Sequence, residues 1–492
     1  MTIKKNKAGT FLSKSLYIRG LQCHKSLYLH KHSPELKDEV DESTEAIFQQ
    51  GYEVGDYAKG LFPGGVEIPY EANNYGGQVE KTQEAIGSGE KIIYEAAFCH
   101  DNVFVKVDIL RKGTRGWEIY EVKSSTEVHD VHLDDAALQY YVVAGSGLPV
   151  SKTHVVTINN QYVRQGNIEP KKLFSITNVG ISVEVKQNDI VKNLKKLRKM
   201  LGGDIPVIDI GDHCSDPYDC DFMGHCWSHI PENSVFDLCG SNARKLALYK
   251  KGILRMEDAP LDELEARQVF QVEASLKQLE IVSSEYVTEF IDSLWYPLYF
   301  LDFETIQPAV PPFDGVRPYR QIPFQYSLHY IERKGAKPKH IEYLAEPGED
   351  PREPVAKRLT NEIPQDACVL AYNKSFEIGV LKELQEWCPK YSKKLDRIIS
   401  NIRDLRDPFS KRHVYHWKMN GSASLKSVLP ALIPEMTYEG MEVSHGGEAQ
   451  QAYFEMCAIE DPQERTRIRR ALLEYCNQDT LAMVKLLEKI IV

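Results

Sequence analysis

Residues 103–125, VFVKVDILRKGTRGWEIYEVKSS, constrain the fold of this chain more than any other stretch. Apolar residues alternate in two segments separated by a glycine-containing turn, a pattern that predicts two paired strands. The alternating pattern of the first strand ends at Asp108. Glu121 and Lys123 are two residues apart on the second strand, so their side chains leave the same face. The stretch therefore predicts a hairpin that gathers two carboxylates and a lysine.

This hairpin has two interpretations. Two carboxylates can hold Mg²⁺ or Mn²⁺, and a neighbouring lysine can steady a water molecule or a developing charge on phosphate. Alternatively, the hairpin lies in solvent, and Glu121 and Lys123 take part in ordinary cross-strand pairing. The choice between a metal centre and a surface feature depends on the rest of the sequence.

The length and the pattern of elements predict more than one domain. A chain of 492 residues exceeds one ordinary domain and predicts two or three. Between residues 43 and 159 the pattern predicts a helix, three strands, a helix and a strand, which make an α/β unit. Residues 241–292 are helical in pattern, and a second series of strands and helices begins at Pro297. The sequence thus predicts two α/β domains joined by a small helical segment.

The charge is uneven along the chain. The net charge of −11 argues against a nonspecific polycation, but an acidic enzyme can still act on nucleic acid. Residues 1–34 contain seven lysines and arginines and no acidic residue, and residues 191–200 form a second basic run that could track a phosphate backbone. No apolar run is long enough to span a bilayer, and the first 14 residues lack the apolar core of a secretory signal. We therefore expect a cytoplasmic protein without membrane association.

Three cysteines, Cys214, Cys220 and Cys226, follow a C-x5-C-x5-C spacing in a segment rich in turn-forming residues. In a reducing compartment this grouping indicates a metal or an iron–sulfur cluster, unless the three are unrelated buried thiols. A tetrahedral centre needs a fourth ligand, for which Cys23 is the first candidate. Zinc is the alternative to iron–sulfur, although the sequence lacks the Cys-x-x-Cys knuckles common in zinc sites. Other candidates for the fourth ligand are His24, His213 and His225.

The hairpin with its Asp…Glu-x-Lys pattern is preceded by one cysteine and followed by three. This arrangement resembles the iron–sulfur branch of the PD-(D/E)XK nuclease superfamily. That branch includes the CRISPR-associated RecB-like exonucleases and the AddB nuclease domain. The resemblance implies a restriction-endonuclease-like domain at residues 1–230, with a 4Fe-4S cluster that clasps its two ends together. It departs from the family in lacking a histidine expected within residues 51–56. The implied cluster ligands are Cys23, Cys214, Cys220 and Cys226, the implied metal ligands are Glu95, Asp108 and Glu121, and the implied catalytic residues are Lys123 and Gln139.

A second set of acidic residues occurs in the C-terminal part of the chain. Asp302 and Glu304 end an apolar strand, and their spacing puts both carboxylates on one face. Glu377 follows a predicted strand in the segment AYNKSFE, and Asp404 is a further possible acid. Asp479 lies four residues after a tyrosine in a predicted helix, where positions i and i+4 share a face.

This order of motifs resembles the DnaQ-like, DEDD-type exonucleases of the RNase H-like fold. The resemblance implies that residues 295–492 form such a domain, that residues 231–294 are a helical linker, and that four carboxylates hold two metal ions. Glu377 stands where the family usually has aspartate. The implied ligands are Asp302, Glu304, Glu377 and Asp479, and Tyr475 is implied to position the attacking water.

Together these patterns predict a nuclease that depends on Mg²⁺ or Mn²⁺ and hydrolyses phosphodiester bonds of DNA, at single strands or ends, as an exonuclease rather than an endonuclease. The second centre is expected to trim 3′ ends of DNA or RNA. The alternative is a nucleic-acid-binding iron–sulfur protein in which one or both centres are vestigial. A third possibility is a structural protein stapled by zinc. The sequence indicates nucleic acid as a partner and names no protein partner.

Overall fold

The computed structural model describes residues 11–39 and 42–491. In this part of the chain about half of the residues are helical, and most strands belong to two mixed sheets. Unit 1 comprises Met1–His229 with Pro308–Tyr319, and unit 2 comprises Ile230–Gln307 with Arg320–Val492. Every described helix is too short or too polar to cross a membrane. The basic residues Lys4, Lys5 and Lys7 lie outside the described residues.

Unit 1 is a mixed sheet covered by helices. The sheet has the order β2-β3-β4-β5-β6-β7, with β1 added beside β4. β3, β4 and β5 are antiparallel neighbours, whereas β5 and β6 are parallel. The strands are β1 (Leu12–Ser13), β2 (Val66–Glu67), β3 (Ile92–His100), β4 (Val103–Lys112), β5 (Trp117–Val122), β6 (Val150–Ile158) and β7 (Phe174–Asn178). The helices are α1 (Lys14–Gln22), α2 (His24–His32), α3 (Glu42–Lys59), α4 (Tyr75–Gly87), α5 (Asp130–Gly145), α6 (Pro170–Leu173), α7 (Gly180–Leu201) and α8 (Met223–Cys226).

The predicted hairpin is present as β4 and β5. β5 pairs with residues 109–112 of β4, whereas β1 pairs with residues 103–104 of the same strand. β5 therefore leaves β4 at Asp108, and it pairs with β6 on its other side. Because Lys14 directly follows β1, the short β1 ladder also fixes the start of α1 beside this opening.

Unit 1 has apolar clusters on both faces of its sheet. Ile119 and Tyr120 are neighbours on β5 but belong to different clusters, because successive side chains of a strand point to opposite faces. The first cluster includes side chains of α5 and α7, among them Val142. The second includes Val54 of α3 and Val310 of the segment 308–319.

Unit 2 is built on a mixed sheet with the order β11-β10-β9-β12-β13. β10 is antiparallel to both β9 and β11, while β12 is parallel to β9 and to β13. The strands are β8 (Glu280–Val282), β9 (Leu298–Ile306), β10 (Ile322–Ile331), β11 (Lys339–Leu344), β12 (Cys368–Ala371), β13 (Ile402–Asp404) and β14 (Val414–His416). The helices are α9 (Asn242–Lys250), α10 (Ala266–Lys277), α11 (Ser284–Asp292), α12 (Arg352–Glu362), α13 (Ser375–Trp387), α14 (Ser392–Asn401), α15 (Asp407–Ser410), α16 (Leu425–Leu432), α17 (Gly446–Ala458) and α18 (Pro462–Ile491).

Hydrogen bonds from β10 fix the position of the long helix α18. Gln325, Ser327 and His329 are alternate residues of β10 and so share one face. Gln325 Nε2 donates to the carbonyl of Leu472 at 2.7 Å, and the side chains of Ser327 and His329 lie 2.6 and 2.8 Å from Thr480 Oγ1. These buried hydrogen bonds fix the rotation of α18 about its own axis. That rotation determines which side chains of α18 point toward β9.

Candidate functional site

The opening between β4 and β5 holds two of the predicted metal ligands. Asp108 Oδ2 accepts a hydrogen bond from the backbone N–H of Val122 at 2.6 Å, which links the two strands where their ladder ends. Burial, and then the nearby charge of Glu121, raise the pKa of Asp108 well above its ordinary value. The sequence motif therefore forms a pair of carboxyl groups, with Glu121 buried and Asp108 half-buried.

Glu121 is surrounded by donors. Its Oε1 lies 2.6 Å from Lys14 Nζ and 2.9 Å from Lys123 Nζ, and its Oε2 accepts a hydrogen bond from Gln139. Burial acts to raise the pKa of Glu121, but the ammonium groups of Lys123 and Lys14 outweigh burial and hold this pKa below its ordinary value. Glu121 is only 1 % exposed, so it remains ionised because of these partners.

Helix α5 presents one face to this site. His132, Asp135 and Gln139 follow the i, i+3, i+7 spacing of a single helical face, and all three are buried. Asp135 forms an ion pair with Lys123. Burial, followed by the positive charge of Lys123, lowers the pKa of His132 to about 4. Gln139 was predicted from the sequence and Asp135 was not, although its spacing four residues before Gln139 could have indicated it.

The predicted ligand Glu95 lies on β3 beside the same opening. Its φ of +55° is a left-handed conformation that a non-glycine residue rarely adopts within a strand. Its carboxylate is 2.9 Å from Lys106 Nζ, and its charge is one of those that raise the pKa of Asp108. The structure thus brings all the predicted residues of this centre together and adds Lys14, which the sequence argument had counted only as part of a basic run.

Two adjoining pockets lie beside this centre. Lys123 lines a pocket together with His129 and other residues of α5. Lys14 lines a second pocket together with Phe48 of α3. Both pockets share a wall that includes Tyr218. The two lysines that contact Glu121 thus each line a pocket.

The four cysteines singled out by the sequence line one pocket of unit 1. The pocket encloses about 350 Å³ of space free of protein atoms, part of it open to solvent. Burial raises the pKa of Cys23 and of Cys226, and the nearby thiols of Cys214 and Cys220 raise both further. These four cysteines are residues of this pocket that could serve as metal or cluster ligands, although among the described residues no three of their sulfur atoms lie within 4.8 Å of one another.

In unit 2, Asp302 and Glu304 of β9 lie on the face that α18 covers, because their cross-strand neighbours are Ser327 and Gln325. Ligand atoms of Asp302, Glu304 and Cys476 lie within 4.8 Å of one another, a grouping that could hold a metal ion. Burial, and then the charges of Asp479, Glu304 and Glu377, raise the pKa of Asp302 well above its ordinary value. The charges of the other three predicted acids therefore act on Asp302, and of these acids Glu304 shares the 4.8 Å grouping with it.

Asp479 sits at the aromatic side of this cluster. Burial raises its pKa to about 6, against the lowering effects of Tyr438, Lys426 and Tyr475. Tyr438 Oη donates to Asp479 Oδ1. Lys426 Nζ lies 5.5 and 5.7 Å from the ring centroids of Tyr438 and Tyr475, within cation–π range. Tyr475 is where the sequence placed it, whereas no sequence pattern had indicated Tyr438.

Glu377 and Asp404 lie on neighbouring segments but have different surroundings. Burial, and then Asp404, raise the pKa of Glu377 to about 8, and Glu377 Oε2 has no hydrogen-bond partner among the described residues. Asp404 instead accepts backbone N–H groups of Asn373, Lys374 and Arg406 at 3.0 to 3.1 Å. Glu377 thus joins the acidic cluster, while Asp404 holds the turn that leads into α13.

Comparisons with known proteins match parts of the chain. Residues 299–424 match a family described as a domain of unknown function, DUF2779. The chain is 28% identical over 216 residues to the uncharacterized protein MG366 homolog of Mycoplasma pneumoniae, a match covering 39% of this chain and 32% of that protein. It is also 28% identical over 210 residues to the uncharacterized protein UU173 of Ureaplasma parvum, covering 38% and 30%. The matches thus span about a third of the length of these curated relatives.

Proposed function

We propose that this protein is a nuclease that depends on Mg²⁺ or Mn²⁺ and has two catalytic centres, one in each unit. The observation that carries the proposal is the set of acids around half-buried Asp302, whose pKa is raised by the charges of buried Asp479, Glu304 and Glu377. Buried like charges are costly unless a cation neutralises them, and carboxylate oxygens are the ligands that Mg²⁺ and Mn²⁺ prefer. Two divalent ions would stabilise the attacking and leaving oxygens of a phosphodiester.

The strand order of unit 2 supports an RNase H-like assignment for its sheet. A central strand carries the Asp-x-Glu pair, an antiparallel hairpin lies on one side of it and parallel strands on the other. Tyr475 lies one helical turn before Asp479 and faces the same acids, so it can orient an attacking water molecule. We propose that this centre trims 3′ ends of DNA or RNA.

The centre of unit 1 supports phosphodiester hydrolysis through a different set of side chains. Glu95, Asp108 and Glu121 would hold the metal ion, and Gln139 orients Glu121 by donating to its Oε2. Lys123, held between Glu121 and Asp135, is placed to bind a water molecule in the pocket that it lines. We propose a restriction-endonuclease-like nuclease centre that acts on DNA strands or ends.

The cysteine pocket supports a 4Fe-4S cluster, with zinc as the alternative. Cys23 lies at the junction of α1 and α2, and Cys214, Cys220 and Cys226 follow α7. A cluster bound there would link the two ends of unit 1, and its role in this proposal is structural.

The test uses anaerobically purified protein and end-labelled single- and double-stranded DNA and RNA with Mn²⁺. We expect Asp108→Asn to remove one cleavage activity and Asp302→Asn to remove the other, each by at least about 100-fold. Asp396→Asn, which changes an exposed acid of α14, serves as the matched control and should leave both activities intact. Cleavage that survives in the Asp108→Asn, Asp302→Asn double variant would contradict the assignment. Strand binding by a wild-type protein that does not cleave would favour the vestigial alternative.

A further inference from the structure

The first turn of helix α5 lines a pocket of unit 1. Lys123 lines the same pocket, together with four residues at the start of the helix, which are His129, Asp130, Val131 and His132. Among the described residues, the backbone N–H groups of Asp130 and Val131 have no partner, because the first N–H groups of a helix have no carbonyl one turn before them. These donors and the helix dipole give this end of α5 a partial positive charge.

The side chain of His132 brings one more donor to this pocket. His132 is only 6 % exposed, and its Nδ1 accepts a hydrogen bond from the backbone N–H of His129 at 3.2 Å. A neutral imidazole that accepts at one nitrogen carries its proton on the other, so Nε2 of His132 is a donor. No described residue forms a hydrogen bond with this Nε2. Because a buried donor without an acceptor is costly, Nε2–H is available to a ligand in the pocket.

The pocket offers neutral donors rather than an unpaired cation. Its lysine, Lys123, is already paired with Glu121 and Asp135. Burial, and then the charge of Lys123, hold the pKa of His132 at about 4, so this imidazole is uncharged at neutral pH.

The carboxylates of the pocket leave room for an anion at the start of α5. Asp134 is paired with Lys186 at 2.7 Å. Asp130 and Asp216 are exposed, so water and salt screen their charges. Backbone N–H groups at a helix N-terminus are a common setting for a bound phosphate group.

We propose that the pocket at the start of α5 binds a phosphate group of the nucleic-acid strand, with Nε2 of His132 and the backbone N–H groups of Asp130 and Val131 as donors. This inference rests on the proposed nuclease function of unit 1. The link is Lys123, which lines the pocket and contacts Glu121 of the centre at 2.9 Å. The pocket thus holds the strand beside the centre without adding a charged side chain.

The experiment measures binding of a single strand to the full chain carrying Asp302→Asn and Asp479→Asn. A thymidine strand of about six nucleotides with a 3′-fluorescein is titrated by anisotropy, with Ca²⁺ in place of Mn²⁺ so that binding is measured without cleavage. A titration at high strand concentration gives the active fraction of each preparation, so misfolded protein does not distort the dissociation constant.

Two substitutions at His132 separate its structural bond from its donor. In His132→Asn, Oδ1 can still accept the N–H of His129, but the amide nitrogen falls short of the Nε2 position. We expect this variant to raise the dissociation constant by about 10-fold. His132→Gln has a donor at nearly the reach of Nε2 and should bind within about 2-fold of the parent.

Salt dependence tests whether the donor is neutral. A cation that contacts a phosphate of a single strand contributes about 0.7 to the slope of log affinity against log salt. The slopes for His132→Asn and the parent should therefore be parallel. His100→Asn changes a histidine that packs on Tyr141 and does not line the pocket, and it should bind like the parent.

Strands with a 5′-phosphate and with a 5′-hydroxyl distinguish two sources of the phosphate group. A loss confined to the phosphorylated strand assigns the pocket to a terminal phosphate, and an equal loss on both assigns it to an internal phosphodiester. Either result supports the site.

Three results would overturn the proposal. These are tight binding by His132→Asn, binding by His132→Gln as weak as by His132→Asn, and a salt slope that His132→Asn lowers by about 0.7. Failure of the nuclease proposal gives a different result, namely no Mn²⁺-dependent cleavage by wild type. The binding titrations need no cleavage and test the pocket in either case.

Discussion

The acidic side chains on the strands of unit 2 have two distinct roles. Asp302 lies among acids that raise its pKa, so it opposes folding in the absence of metal. Asp404 accepts three backbone N–H groups and stabilises the turn before α13. Both are acidic residues of a strand, so this context alone does not separate a candidate ligand from a structural acid.

Asp302→Asn is expected to stabilise metal-free protein while it removes the activity of the second centre. The substitution relieves repulsion among buried carboxyl groups, which we expect to raise the free energy of unfolding by about 1 kcal/mol. Thermal denaturation with EDTA measures the stability, and 3′-end trimming in an Asp108→Asn background measures the activity. A variant that melts at a lower temperature than wild type would show that Asp302 stabilises the fold.

Asp404→Ala is expected to have the opposite effect on stability. Three backbone N–H groups lose their acceptor, which should lower the free energy of unfolding by about 2 kcal/mol. Denaturant unfolding followed by tyrosine and tryptophan fluorescence measures the change. Asp396→Ala on the exposed face of α14 is the matched control. An Asp404→Ala variant as stable as this control would contradict the assigned role.

At the scale of elements, the contact between β10 and α18 places the second centre. Ser327 and His329 bond to Thr480, which directly follows Asp479. Burial, and then the neighbouring His340, lower the pKa of His329 to about 4. Neutral His329 is therefore part of the arrangement that positions Asp479.

The contact between β10 and α18 should weaken in acid. Between pH 6.5 and about 4 the unfolded chain binds a proton at His329 that the folded protein does not bind, so stability falls as the pH falls below 6.5. The loss reaches roughly 3 kcal/mol when the pH approaches the folded pKa. Urea unfolding at several pH values measures it. His329→Gln should give a shallower pH dependence over this window, and an identical slope in wild type and variant would refute the prediction.

At the scale of the whole molecule, segments that are far apart in sequence contact each other in unit 1. Cys23 and Cys214 are nearly two hundred residues apart yet line one pocket. Arg19 and Asp221 form an ion pair between the same two regions. Residues 308–319 also belong to unit 1, although β9 and β10 on either side of them belong to unit 2.

Anaerobically purified protein is expected to contain about four iron atoms per chain and a broad visible absorbance. Cys226→Ser should lose most of the iron and lower the melting temperature of unit 1. A cross-link that closes a loop of this size contributes at most about 5 kcal/mol, because it restricts the unfolded chain. Cys99→Ser changes a half-buried cysteine that does not line the pocket, and it should keep the iron. Stoichiometric zinc in place of iron would contradict the cluster assignment and support the zinc alternative.

The sequence predicted most of the long strands and helices of both units because their apolar periodicity is strong, but it missed the 13-residue helix α4. The β4–β5 hairpin, helix α5 and strand β9 lie close to their predicted positions. The sequence argument missed β1 and β13, which have two and three residues and are too short to show a period. It did not anticipate that residues 308–319 would belong to unit 1, since that packing depends on distant contacts.

The sequence by itself determined which residues could act: carboxylates on strands, a Glu-x-Lys pair, a tyrosine one helical turn before an aspartate, and four cysteines. The structure places Asp108, Asp302 and Glu304 inside β4 and β9, whereas the sequence predicted them at strand ends. Local spacing fixes the face on which a side chain lies, and spacing is visible in a sequence. Only the tertiary structure showed that Lys14, Asp135 and Tyr438 join these sets. It also showed that Asp404 holds a turn, because partners that are distant in sequence meet only when the sheets and helices pack.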